Sequence, residues 1–405
     1  MSTANTAFDP WSAAFVGHPY DAYADLREQA AATYFEPSGQ WLVPRFEDVN
    51  ALLRDRRLGR TYLHRHTHEE FGRTAPPPEH EPFHTLNGNG LLDLEAPDHT
   101  RIRRLVAKAF TPRMVESLRP TVRRLANEAV DGLLADGGGD LVARVAEPLP
   151  VAVIAEMLGI PAADQHLLRP WSSDITGMFE LNPSEETARR AVTASTEFSD
   201  YLRALIAERR TAPGEDLVSA LIGVMDEGDR LSEQEMVSTC VLLLNAGHEA
   251  TVNTTGNGWW SLFRNPDQLD ALRAAPDALL PTAVEELMRY DTPLQMFERW
   301  VLEDIEVGGV PIPRGSEIAL LFGSANRDPS RFADPDRLDL ARADNPHVTF
   351  GAGIHFCLGA PLARIELVES FAAVLHRAPG LRLVEEPSWK PGYVIRGLES
   401  LLVEI

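Results

Sequence analysis

The chain has 405 residues and a formal charge of −22, which allows one large domain and excludes binding nucleic acid or an anionic membrane through a basic footprint. Two cysteines are too few for a disulfide framework and imply a reducing compartment; no run of about 18 apolar residues is present to cross a bilayer. Met1 to Pro10 lacks a basic-plus-apolar leader pattern, so a cytoplasmic location is expected.

Tyr20 to Ala31 reads as a helix, and Tyr34-Phe35 and Trp41-Leu42-Val43 as a strand pair joined by Pro37-Ser38-Gly39. Phe46 to Arg54 is a short helix. Residues 58 to 96 are rich in Pro, Gly, His and Asn and read as a loop. His64, His66 and His68 alternate within it without a convincingly spaced partner, which favours a solvated loop over a metal site. Pro97 opens a helix on which His99 and Arg103, four residues apart, share a face. Arg101, Arg104, Lys108 and Arg113 lie outside that face, a basic patch suited to an acidic partner protein. Pro112 to Asp136 and Pro148 to Leu158 are helical, and Pro161 to Arg210 carries two helices broken near Leu181-Asn182-Pro183.

Ser232 to Arg264 is one long helical stretch. Gly247 within it costs about 1 kcal/mol relative to Ala, and with the acid Glu249 nearby it suggests a local opening of the helix. Glu286 and Arg289, at i,i+3, are placed to pair.

The chain is organised around Phe350-Gly351-Ala352-Gly353-Ile354-His355-Phe356-Cys357-Leu358-Gly359-Ala360-Pro361. Small residues let backbone approach a flat ligand closely, and Pro361 suits an early helical position. Cys357 then precedes a helix whose N-terminal dipole favours a thiolate. A thiolate on a glycine-rich platform suits axial ligation of haem iron.

The run Phe350, Gly353, Cys357, Gly359, continued by Ala360-Pro361-Leu362-Ala363-Arg364, resembles the haem-binding loop of the cytochrome P450 family in its soluble bacterial form. Ala246, Gly247 and Glu249 match the family's oxygen-activation helix, although Ala250 stands where the family carries an alcohol and Thr251 follows one residue later. Glu286 and Arg289, with Arg337 in Pro335-Asp336-Arg337, are similar to its structural triad.

The resemblance implies a mainly α fold with small β-sheets, an α+β cytochrome P450 fold, as a single domain over residues 1–405. It implies haem b between the long central helix and the helix after the cysteine, Cys357 as the axial ligand, and Phe350, Gly351 and Gly359 beside it. Its propionate partners would be His99, Arg103, Arg299 and His355. Glu249 and Thr251 would serve proton delivery beside Ala246, Gly247 and Ala250, with Thr251, a substrate hydroxyl or ordered water standing in for the missing alcohol. Pocket residues would be Leu86, Asn87, Met178, Phe179, Leu243, Ala246, Leu294, Gln295, Met296, Phe297 and Ile395.

The implied activity is insertion of one atom of O2 into a medium-sized hydrophobic molecule of secondary metabolism. Electrons would come from a separate ferredoxin and its NAD(P)H-dependent reductase, and the enzyme would act as a monomer. A peroxide-driven haem-thiolate peroxygenase and a non-catalytic haem-based ligand-binding protein are the alternatives.

Overall fold

The computed structural model describes residues 8–405. The leader-free reading of the N-terminus therefore falls largely outside the described residues. Cα packing divides the chain into two compact units. The first comprises the chain up to Gly59, Val122–Leu149 and Ala250–Ile405; the second comprises Arg60–Thr121 and Pro150–Glu249.

The first unit holds the strands. Alternating aromatic and β-branched residues pair Thr33–Phe35 antiparallel with Gln40–Val43, with Phe35 opposite Gln40. Gly39, at φ +69°, makes the turn between them. The sheet order is Thr33–Phe35, Gln40–Val43, Glu317–Leu320, Phe297–Val301, Leu58–Gly59. Val43, Ile318, Leu320 and Val301 project from this sheet into a core shared with Phe46, Val49 and Phe332. Packing on two elements removes this apolar surface from water, the main favourable term in holding the unit together.

The second unit is helical. Glu185–Thr211 packs along Leu168–Thr176, where Trp171 stacks on Phe198 with ring centroids 5.0 Å apart. The break expected near 181–183 lies between these helices. The loop expected at 58–96 contains a helix, Glu81–Gly88. Pro82 sits in its first turn, and Phe83 and Leu86, three apart, are its buried face. The short apolar stripe is masked in sequence by the surrounding prolines and glycines.

Glu233–Arg264 is an uninterrupted α-helix, so Gly247 does not open it. Space beside it is narrow: a Cβ there would lie 2.7 Å from Ile154 Cδ1, the end of a side chain that can shift. None of the described residues forms a helix long and apolar enough to cross a membrane.

Candidate active site

The cysteine loop is shaped by two glycines in the left-handed region, Gly351 at φ +66° and Gly353 at φ +70°. A Cβ on Gly353 would lie 2.5 Å from the Leu53 carbonyl oxygen, so no other residue fits there. Cys357 N–H donates to Phe350 O at 2.9 Å, which closes the loop. Asn326 clasps its beginning, accepting from Val348 N–H at 2.8 Å and donating to Thr349 Oγ1 at 3.0 Å. Cys357 is half-buried, just before the helix Ala360–Arg377. A Cβ on Gly359 would sit 3.9 Å from Sγ, in ordinary van der Waals contact with it. A soft thiol at a helix N-terminus, on backbone without side chains, fits the axial position of a thiolate-ligated porphyrin.

Behind the loop, Glu286 and Arg289 are fully buried and joined by two 2.8 Å hydrogen bonds. Arg289 also donates to the carbonyls of Asn326 and Pro335 at 2.8 Å. Sequence reasoning named Arg337 as the third member, and here the structure differs. Arg337 offers its carbonyl to Arg289 at 3.4 Å, while its side chain is exposed. The second guanidinium on Glu286 is that of Arg342, at 3.1 and 3.2 Å. A wholly buried carboxylate needs compensation on both oxygens, and Arg342, five residues on, reaches it.

On the long helix, Leu243, Gly247 and Ala250 are half-buried and Ala246 is exposed, a stripe of helical spacing left uncovered on an otherwise buried element. Glu249 accepts from Ser173 Oγ at 3.2 Å, and buried His248 meets Ser172 at 3.3 Å. Thr251, about 100° further round, is buried in the neighbourhood of Glu366. Glu366 sits on the helix after the cysteine, 2% exposed. Burial pushes its carboxyl up to about 8, with the nearby Thr251 hydroxyl acting weakly the other way, so it is protonated at neutral pH.

Glu366 was missed in sequence. Its signal was present: Leu362, Glu366, Glu369 and Ala373 recur at helical spacing, placing an acid on the apolar face.

The remaining expected residues are spread over both units. In the first, Leu294 and Ile395 meet as an isolated β-bridge, and Phe297 is half-buried nearby in sequence. Met296 is 1% exposed. Gln295 is turned inward: it accepts from Tyr23 at 2.8 Å and donates to Thr292 O at 2.6 Å. Its amide is spent on the interior and is not open to a ligand. Arg299 is buried with its guanidinium 4.5 Å from the Phe297 ring, and His355 is half-buried in the cysteine loop. In the second unit, buried His99 and half-buried Arg103 lie on Asp98–Ala109. Leu86 is core, Asn87 donates to Phe83 O, and Met178 and Phe179 are half-buried, with Phe179 6.2 Å from Phe83.

Three of the four residues of the basic patch are ion-paired at the surface, and Arg113 is exposed. Arg101 pairs with Asp229 and Glu235, and Arg104 and Lys108 both pair with Asp226. The alternating histidines are also engaged otherwise, with Tyr62 OH 2.7 Å from His68 Nδ1 and His66 stacked on Phe71. Among the described residues no group of His, Cys, Asp or Glu is arranged to hold a metal ion.

Residues 160–377 match the family model for cytochrome P450. The chain belongs to the cytochrome P450 family. Cytochrome P450 107B1 of Saccharopolyspora erythraea is 40% identical over 404 residues, 98% of this chain and 96% of that one. A protein named 6-deoxyerythronolide B hydroxylase, from the same organism, is 39% identical over 95% of this chain and 96% of its own. The solved structure of the bacillaene polyketide synthase cytochrome P450 PksS, from Bacillus subtilis 168, matches at TM-score 0.88 and 36% identity, over 98% of this chain and 99% of that one. This P450 is therefore an enzyme of the monooxygenase class with a mainly helical fold and small sheets, similar to bacterial P450s of secondary metabolism.

Proposed function

We propose that this P450 is a haem b monooxygenase that hydroxylates or epoxidises a medium-sized hydrophobic secondary metabolite of the polyketide kind, with Cys357 as axial ligand. The observation that carries it is the half-buried Cys357 thiol, set on a glycine loop at the start of a helix. The 39% identity to a protein named 6-deoxyerythronolide B hydroxylase supports the substrate class. When bound, the haem supplies activation of O2, with one oxygen atom going to the substrate and the other to water.

The chain's own residues hold the ligands and the protons. Arg299, His355, His99 and Arg103 are the residue types that bind propionates through charge-assisted hydrogen bonds. Leu294, Phe297 and Ile395 offer apolar surface that excludes water. Ala250 brings no hydroxyl, and its role passes to the Thr251–Glu366 pair. Glu366 holds a proton at neutral pH and is a reservoir near Thr251, whose hydroxyl relays a proton toward the site once the two side chains come within hydrogen-bond reach. Glu249, hydrogen-bonded to Ser173, is a second proton-carrying group on the same helix.

We assign single electrons to a separate ferredoxin and its NAD(P)H-dependent reductase, and the working form to a cytoplasmic monomer acting as one domain. Ala250 favours one second reading, a peroxide-driven peroxygenase; turnover with peroxide alone at rates matching the ferredoxin system would support it.

The deciding measurement is the carbon monoxide difference spectrum of the dithionite-reduced holoenzyme. The red-shifted Soret band of thiolate-ligated haem is expected, and its loss in Cys357→His. A wild-type band at the histidine-ligated position overturns Cys357 as the ligand.

A further inference from the structure

A cluster unused by the mechanism sits on the other side of the cysteine loop. Arg364, one turn into the helix Ala360–Arg377, grips Glu285 with both arms of its guanidinium, at 2.6 and 2.8 Å. His347 Nε2 donates to the same carboxylate at 3.1 Å. Its buried Nδ1 has no hydrogen-bond partner among the described residues. The cluster thus ties Arg364 and His347 to one carboxylate. Arg364 lies with its guanidinium 4.6 Å from the centre of the Phe350 ring, and Phe350 O accepts the Cys357 N–H at 2.9 Å. His347 flanks the same ring, with centroids 5.9 Å apart. The bond to Glu285 raises the Arg364 pKa, and charge on Cys357 adds to it. The guanidinium is thus the end of the cluster that lies against Phe350, whose carbonyl holds the Cys357 N–H.

We infer that Arg364 is a positioning residue for electron uptake: Glu285 and His347 fix its guanidinium against Phe350, the residue that holds the Cys357 N–H, as a standing cation at the cysteine loop, which makes the haem easier to reduce. This rests on Cys357 as axial ligand. Taking one electron from the donor adds one negative charge to the haem–thiolate unit. A nearby fixed cation stabilises that reduced state over the oxidised one. The bidentate grip matters because a guanidinium held at both ends keeps its position where a free side chain would swing into water.

The test is a spectroelectrochemical titration of the holoenzyme, with its carbon monoxide spectrum, for wild type, Arg364→Gln, Arg364→Lys, Glu285→Gln and Arg364→Gln/Glu285→Gln. In Arg364→Gln the ferrous-to-ferric ratio at a fixed potential is expected to fall about tenfold, a shift of about 59 mV to more negative values for one electron. Arg364→Lys restores part of it. Glu285→Gln raises the potential in the Arg364→Gln background, where only a negative charge is lost. In wild type it raises it less or lowers it, because the cation is released. An Arg364→Gln potential equal to wild type with a normal thiolate band overturns this inference alone, as does simple additivity of the two substitutions. A wild-type spectrum without the thiolate band overturns the ligand assignment and this inference together. If Arg364→Gln fails to take up haem, the Arg364→Lys and Glu285→Gln potentials decide: both unmoved overturns it.

Discussion

A Glu366→Gln substitution tests the proton reservoir through stability, independently of any substrate. The carboxyl is 2% exposed, and burial carries its pKa from an ordinary 4.5 to about 8. The folded state therefore binds more protons than the unfolded chain between those two values. Stability from the buried neutral acid is complete below pH 4.5 and is lost as pH rises toward 8. With 1.36 kcal/mol per pKa unit, the wild type should lose about 4 kcal/mol from this group between about pH 5 and about pH 9. Glutamine keeps the shape and has nothing to ionise. The difference in unfolding free energy between variant and wild type should thus grow by about 4 kcal/mol over that range, in the variant's favour. Urea unfolding of the two proteins at a series of pH values, followed by tryptophan fluorescence, reads it. A difference that stays constant with pH would mean that Glu366 titrates near its ordinary value, reached by water, and the neutral-acid argument would fall.

Thr251→Val removes the hydroxyl at nearly constant shape; product formed per NAD(P)H is expected to fall roughly tenfold or more, read by product analysis with peroxide release. Glu286→Ala leaves the buried Arg289 without its carboxylate and should cost about 3–5 kcal/mol, seen as a lowered Tm. Gly353→Ala places a Cβ 2.5 Å from the Leu53 carbonyl oxygen at φ +70°, and should cost about 1–3 kcal/mol with loss of retained haem, measured by the Soret-to-protein absorbance ratio. At the acid end, burial alone would raise the Glu285 carboxyl, but hydrogen bonds from Arg364 and His347 prevail and hold it at about 2. Its stabilisation is present above 4.5 and lost as pH falls toward 2. Discounted for solvent exposure it amounts to about 1–2 kcal/mol, so Glu285→Gln should flatten the acid limb of the stability curve by that much.

The sequence alone carried the family, because its motifs are local. The glycine-cysteine loop specifies a backbone path within ten residues, and the helices around Glu249 and Glu286 announce themselves by spacing. It also determined that an alcohol is missing at Ala250. Only the tertiary structure shows which groups lie near enough to be proposed in its place. Thr251 and Glu366 lie more than a hundred residues apart in the chain, and their proximity follows from two helices packing side by side, with Gly258 admitting the Phe371 ring at 2.8 Å from where a Cβ would be. The same holds for the exchange of Arg337 by Arg342 on Glu286 and for the inward turn of Gln295. In each case side chains compete for one buried polar partner, and the winner depends on reach in space, which spacing along the chain does not encode.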